Sequence, residues 1–158
     1  VVHRGLAVLP EADIQALAMY FADTNGSAAR APQDAAALGQ AMSRRLADVG
    51  RSAEPGANLY LSACASCHYS PAPAPGQVLG SLALSTSLVS DDPANFIHVV
   101  MQGVGGPGTP GPYMPGFAAA LTDADITQIA TYLRRTRTDR PAWVGLPAAV
   151  ATHRPRTP

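Results

Sequence analysis

Cys64-Ala65-Ser66-Cys67-His68 reads C-x-x-C-H, and its spacing decides what the rest of the chain is folded around. Two cysteines three residues apart on the first turns of a helix can each add across one vinyl group of a single porphyrin, and His68 then follows directly beneath the ring. This makes Cys64 and Cys67 the covalent attachment points of one haem c. His68 is the proximal axial ligand, its geometry held by the tether without a large apolar pocket. A redox dithiol or half of a zinc site is the competing use of C-x-x-C. Zinc needs two more ligands at compatible spacing, and His3, His98 and His153 are scattered singly with no second cysteine pair. No βαβ pattern surrounds the motif as a thioredoxin-like dithiol requires.

The 158 residues leave room for one domain and part of another. A haem c domain takes about 80 to 100 residues, because the porphyrin fills much of its core. The net charge is zero, with eleven basic residues, all arginine, so neither nucleic-acid binding nor a polybasic membrane anchor is indicated. Arg134, Arg135, Arg137 and Arg140 cluster and read as a solvated helix end meeting the helix dipole, with a docking patch as the alternative. No apolar run reaches the roughly 18 to 20 residues of a spanning helix. Haem c attachment in bacteria takes place outside the inner membrane, which predicts the periplasm, any hold on the membrane being supplied by partners.

Helical spacing of Ile126, Ile129, Ala130 and Leu133 after a Thr122 N-cap and an acidic first turn predicts a helix over 122–135. A second helix is expected from about Pro55 to Cys67 and a third from about Pro93 to Gln102, with Phe96, Ile97, Val100 and Met101 inward. Pro71 to Gly76 and Gly103 to Gly116 are Pro/Gly-rich loops. No segment alternates as a strand would. The expected fold is all-α, helices and long loops wrapped around one haem. Leu79, Leu82, Leu84, Phe96, Val99 and Phe117 are expected to line the pocket or core, and Gly56 and Tyr60 to cross Tyr132 and Leu133 at a close helix contact.

The segment from Leu9 to Phe21 aligns with Leu121 to Leu133 at a constant offset, Asp13 falling on Asp125 and Ala18-x-Tyr20 on Ala130-x-Tyr132. One helix is repeated without the rest of its domain. The organisation expected is therefore 1–24 as the closing helix of a preceding, incomplete haem domain, 25–54 as an Ala-rich polar linker with a weak helix over 33–49, 55–138 as the haem domain, and 139–158 as a C-terminal extension.

The second iron ligand is sought among Met19, Met42, Met101 and Met114. Met114 is chosen because Pro112-Tyr113-Met114-Pro115-Gly116 is a Pro-braced loop able to present a thioether rigidly. Met101 lies in an apolar helical stripe and Met42 in a weak one, where packing is the default. His98 or an open site is the remaining possibility. Filled His/Met coordination favours ferrous iron and leaves no open position, which is electron-transfer chemistry; an open distal site would instead permit peroxidase or ligand-sensing chemistry. His68 is expected to donate its other ring nitrogen to a carbonyl of the following loop, with Pro75 a candidate.

The Gly56-x-x-x-Tyr60 helix ahead of C-x-x-C-H, the Met114-Pro115 loop and the closing Ala130-x-Tyr132-Leu133 helix together resemble a class I c-type cytochrome domain over residues 55–136. Val1-Val2-His3 with Ala12-Asp13-Ile14, Ser81 to Leu88, Asp92-Pro93-Ala94-Asn95, Gln102-Gly103-Val104 and Pro141-Ala142-Trp143 are similar to the end of the second and to the third haem domain of multihaem cytochrome subunits. Those serve membrane-associated bacterial dehydrogenases acting on alcohols, aldehydes, gluconate or nicotinate-type substrates. The resemblance implies relay of electrons from a dehydrogenase subunit to a quinone, a terminal oxidase or another cytochrome. It makes this chain an electron-transfer part of an oxidoreductase complex rather than an enzyme. The single C-x-x-C-H sets one haem here, and Tyr69-Ser70-Pro71 departs from the glycine-rich run of many relatives.

Overall fold

Thr122 starts the helix on which the fold is built. Its hydroxyl accepts from the Asp125 amide at 3.1 Å while the Asp125 carboxylate accepts from the Thr122 amide at 2.9 Å, a reciprocal capping box that satisfies two donors at the helix start. The computed structural model describes residues 5–44, 53–68, 82–106 and 113–155. Within them the elements are α1 (Glu11–Thr24), α2 (Ser27–Arg44), α3 (Pro55–Ala63), α4 (Ala65–His68), α5 (Thr86–Val89), α6 (Ala94–Gln102), α7 (Asp123–Arg137) and α8 (Leu146–His153). The described residues contain no strand, only an isolated bridge between Val104 and Met114. This is an all-α chain. It divides into two compact units, residues 1–40 and 41–158.

In the larger unit α7 buries Ile126, Ile129, Ala130, Tyr132 and Leu133, and α3, α5, α6 and α8 pack on it. Helical spacing alone put these side chains on one stripe. The α3 contact depends on Gly56, where an added Cβ would lie 2.4 Å from the Gln128 carbonyl oxygen and 2.9 Å from the Tyr132 Cβ. Tyr60, one turn on, fills the space beyond, its ring centre 5.8 Å from that of Tyr132. The expected crossing of Gly56 and Tyr60 with Tyr132 is thus present. Phe96, Ile97, Val100 and Met101 of α6 complete the core from the other side, as the spacing predicted.

Two expectations change. Residues 27–44 form α2 where a polar linker with a weak helix over 33–49 was expected; alanine is the strongest helix former, and six alanines between Ala28 and Ala37 carry the helix through Pro32. Arg134 and Arg137 are not a solvated end but are 2% and 4% exposed. Arg134 donates to the carbonyls of Leu88, Ser90 (2.8 Å) and Pro141 (2.9 Å) and stacks 4.4 Å from the Trp143 ring centre. Of the expected pocket or core residues, Leu82 and Phe117 pack on the core and Leu84 lies at the surface of the protein. Leu79 lies outside the described residues.

The extension after Asp139 folds back as well. Trp143, Leu146 and Val150 are buried, Trp143 donates to the Ser90 carbonyl at 2.9 Å, and Arg154 binds Asp123 and the carbonyls of Ala118 (2.6 Å) and Leu121 (2.9 Å). The smaller unit contrasts with this. Ile14, Leu17, Tyr20 and Phe21 of α1 are between 37% and 64% exposed, while their sequence counterparts on α7, Ile126, Ile129, Tyr132 and Leu133, are at most 3% exposed.

Candidate functional site

The C-x-x-C-H segment follows α3 directly. Cys64 ends that helix with its amide on the Tyr60 carbonyl at 2.9 Å, and the amides of Cys67 and His68 return to the Cys64 carbonyl at 3.2 and 2.9 Å. One tight turn therefore carries both thiols and the imidazole. The cysteines are not joined to each other, Cys64 being half-buried and Cys67 exposed. Burial, and secondly the neighbouring Cys67, pushes the Cys64 thiol up to about 11. Burial holds the His68 imidazole below the ordinary histidine range, so at neutral pH it is an uncharged ligand base. Tyr60 donates its hydroxyl to the His68 carbonyl at 3.2 Å, fixing the backbone of that residue to the α3 side of the core.

His68 Nδ1 is buried and has no hydrogen-bond partner among the described residues. A buried imidazole nitrogen left in this state is costly, and where one ring nitrogen binds metal the other is normally satisfied by a carbonyl. The loop from which that carbonyl was expected, including Pro75, lies outside the described residues. Among the described residues no group of three or more His, Cys, Asp or Glu side chains is arranged to hold a metal ion.

Met114 lies beside the C-terminal end of α6. Its amide and carbonyl pair with the carbonyl and amide of Val104 at 3.0 and 2.9 Å, and the amides of Phe117 and Ala118 then cap the Val100 and Met101 carbonyls at 2.9 and 3.2 Å. Four main-chain bonds pin the loop to this end of α6, two of them to Val104 just beyond the helix and two to carbonyls of its last turn that a helix end leaves free. Two glycines make this approach feasible. At Gly103, whose φ is +79°, a Cβ would fall 2.3 Å from the Met114 carbonyl oxygen, and at Gly116 a Cβ would fall 2.6 Å from that of Met101. Their role was not assigned from the sequence, although a glycine just past a helical stripe is a known stop signal that could have marked Gly103.

The other candidates are engaged elsewhere. Met101 is core, Met19 is exposed, and the Met42 side chain lies outside what is described. His98 Nε2 lies 2.9 Å from His153 Nδ1, linking α6 to α8. The candidate groups are thus two thiols, a neutral imidazole with one nitrogen unpartnered among the described residues, and a half-buried thioether on a braced loop. The helices next to them, α3 and α6, both contact α7. Such groups fit a haem c.

An all-α fold closed by a first-to-last helix crossing and carrying C-x-x-C-H is that of a class I c-type cytochrome domain. A family model described as cytochrome c oxidase, cbb3-type, subunit III matches residues 51–133, just over half of the sequence, and the chain belongs to that family. Membership implies a haem c and makes the chain an electron-transfer component. A nicotinate dehydrogenase subunit of Pseudomonas putida is 35% identical over 149 residues. The match covers 92% of this chain and 12% of that relative, so the chain spans about an eighth of its length.

Proposed function

We propose that the chain is a one-electron relay in which a single haem c is joined by thioether bonds to Cys64 and Cys67, with His68 and Met114 as its axial ligands. The observation that carries this reading is the presence of a C-x-x-C-H turn, its His68 Nδ1 buried and without a partner among the described residues, together with a methionine loop pinned by four main-chain hydrogen bonds. When bound, the haem supplies a one-electron couple. The protein's part is to hold it. Burial keeps His68 neutral and therefore able to ligate, and the soft, uncharged Met114 thioether favours the ferrous state while closing the sixth position to oxygen and peroxide.

The electron donor is a partner dehydrogenase subunit, a reading supported by the dehydrogenase subunit to which the chain is similar. The acceptor is a quinone, a terminal oxidase or another cytochrome. The compartment is the periplasm, where haem c is attached. Residues 1–24 are the closing helix of a second haem domain, since α1 exposes the same positions that α7 buries against an α3-type helix. On this reading 25–54 connects the two domains, 55–138 is the haem domain and 139–158 its extension.

Two measurements on the purified chain test the ligand set. A pyridine haemochrome assay on denatured protein is expected to give one haem retained per polypeptide. Carbon monoxide added to the reduced protein at neutral pH is expected to leave the wild-type spectrum unchanged and to alter that of Met114→Ala. Wild-type protein that takes up carbon monoxide as readily as a five-coordinate haem would remove Met114 from the iron and turn the reading to a peroxidase or ligand sensor.

A further inference from the structure

Arg137 closes the last turn of α7 with its side chain buried. An arginine at a helix end ordinarily reaches into water, where its charge is screened. Here the guanidinium carbon lies 5.7 Å from the ring centre of Tyr60 and 5.8 Å from that of Tyr132, within reach of both aromatic faces. Among the described residues the ion pairs on α7 involve other arginines, Arg135 with Glu54 near its end and Arg154 with Asp123 at its start. The contact of Arg137 to the Thr136 carbonyl is long at 3.5 Å. Tyr60, which the cation faces, is the residue that donates its hydroxyl to the His68 carbonyl. A buried positive charge that Tyr60 meets directly, through its field and a side-chain hydrogen bond, is therefore lodged behind the aromatic ring that holds the main chain of the proximal ligand.

We propose that Arg137 is a potential-setting residue, a fixed cation that acts across Tyr60 to favour the reduced iron. The proposal rests on the haem reading above and assigns a positioning residue to it. Oxidation adds one positive charge at the iron, and a second cation in the same weakly screened interior makes that addition less favourable. Arginine suits the role because it stays charged at any working pH. The competing role is mechanical, a clamp between α3 and α7. The two differ in one respect, since a clamp depends on shape and a potential-setting charge depends on charge.

The test is a redox titration of the wild-type, Arg137→Gln and Arg137→Lys holoproteins, each first assayed for haem by pyridine haemochrome. Arg137→Gln is expected to hold full haem and to shift the one-electron equilibrium towards oxidation by roughly tenfold, the scale of a unit charge acting across about 10 Å at an effective dielectric of about 20. For one electron that is 59 mV. Arg137→Lys is expected to keep most of the wild-type potential at neutral pH and to fall by a similar amount as pH rises through the lysine pKa. The wild type carries the same Tyr60 and Tyr132, so a step present only in the lysine variant reports the loss of that charge. This second arm needs no neutral variant to fold. A wild-type potential in the Arg137→Gln holoprotein, or a lysine variant with no extra alkaline step, overturns the proposal. Absence of retained haem in the wild type overturns the haem reading instead and is seen before any potential is measured.

Discussion

Replacing Gly103 by alanine should loosen the methionine loop and lower stability together. Gly103 ends α6 at φ +79° and ψ −174°, a region that is essentially glycine-only. The added Cβ would lie 2.3 Å from the Met114 oxygen, 2.7 Å from the Gly116 nitrogen and 2.8 Å from the Pro115 carbonyl carbon. All three are main-chain atoms, so no side-chain rotation relieves the overlap. The backbone must either leave its present conformation, at about 1–3 kcal/mol, or push the loop away, at a similar cost for overpacking. Either route breaks the paired Val104 and Met114 hydrogen bonds. With those two hydrogen bonds at about 0.5–1.5 kcal/mol each added to either route, the expected loss is about 2–6 kcal/mol. With a urea slope of about 1–3 kcal/mol/M, the unfolding midpoint falls by about 1 M or more. Gly106→Ala is the control, because an added Cβ there meets no atom within 4 Å. On the proposed ligand set, reduced Gly103→Ala should also bind carbon monoxide where Gly106→Ala does not. An unchanged urea midpoint and a carbon monoxide-silent spectrum in Gly103→Ala would refute the argument that this glycine seats Met114.

Arg134→Met should destabilise the larger unit by about 2–4 kcal/mol, since it strips a shared donor from the Leu88, Ser90 and Pro141 carbonyls. Because Trp143 is the sole tryptophan, the same variant should red-shift its fluorescence, and unaltered emission would contradict the packing described. At α7 the Asp125 carboxylate is held below the ordinary range, first by the Thr122 hydroxyl and then by its amide. A carboxyl lowered in the folded state contributes stability above its unfolded pKa and loses it as pH falls through the folded value. Asp125→Asn should therefore flatten the acid limb of a stability-against-pH curve, and an equally steep limb would show that the capping box is not its source.

The helices that carry the core were legible because each buries a single stripe at helical spacing. Ile126, Ile129 and Leu133 name α7, and Phe96, Ile97, Val100 and Met101 name α6. The C-x-x-C-H turn was legible for a different reason, since its chemistry depends on local spacing that the fold does not alter. What escaped reading depends on contacts between distant residues. Arg134 and Arg137 look like ordinary surface cations until Trp143 and Tyr60 are brought over them. Gly103 and Gly116 have meaning only once the two loop ends face each other across the end of α6. The α8 extension hides behind an Ala/Pro composition that gives little periodic signal, and α2 hides behind a proline that a run of alanines overrides.

The close passage of α3 over α7 at Gly56 also dictates an order of events during synthesis. Gly56 and the cysteine turn emerge from the ribosome well before Gln128 and Tyr132, the residues that roof them. Until the last helix is made, Tyr60 has no stacking partner and the segment around Cys64 has no wall behind it. The thiols therefore lie in a segment whose packing is completed only by residues made later, so a chain kept unfolded leaves them accessible until Ile126 to Leu133 dock.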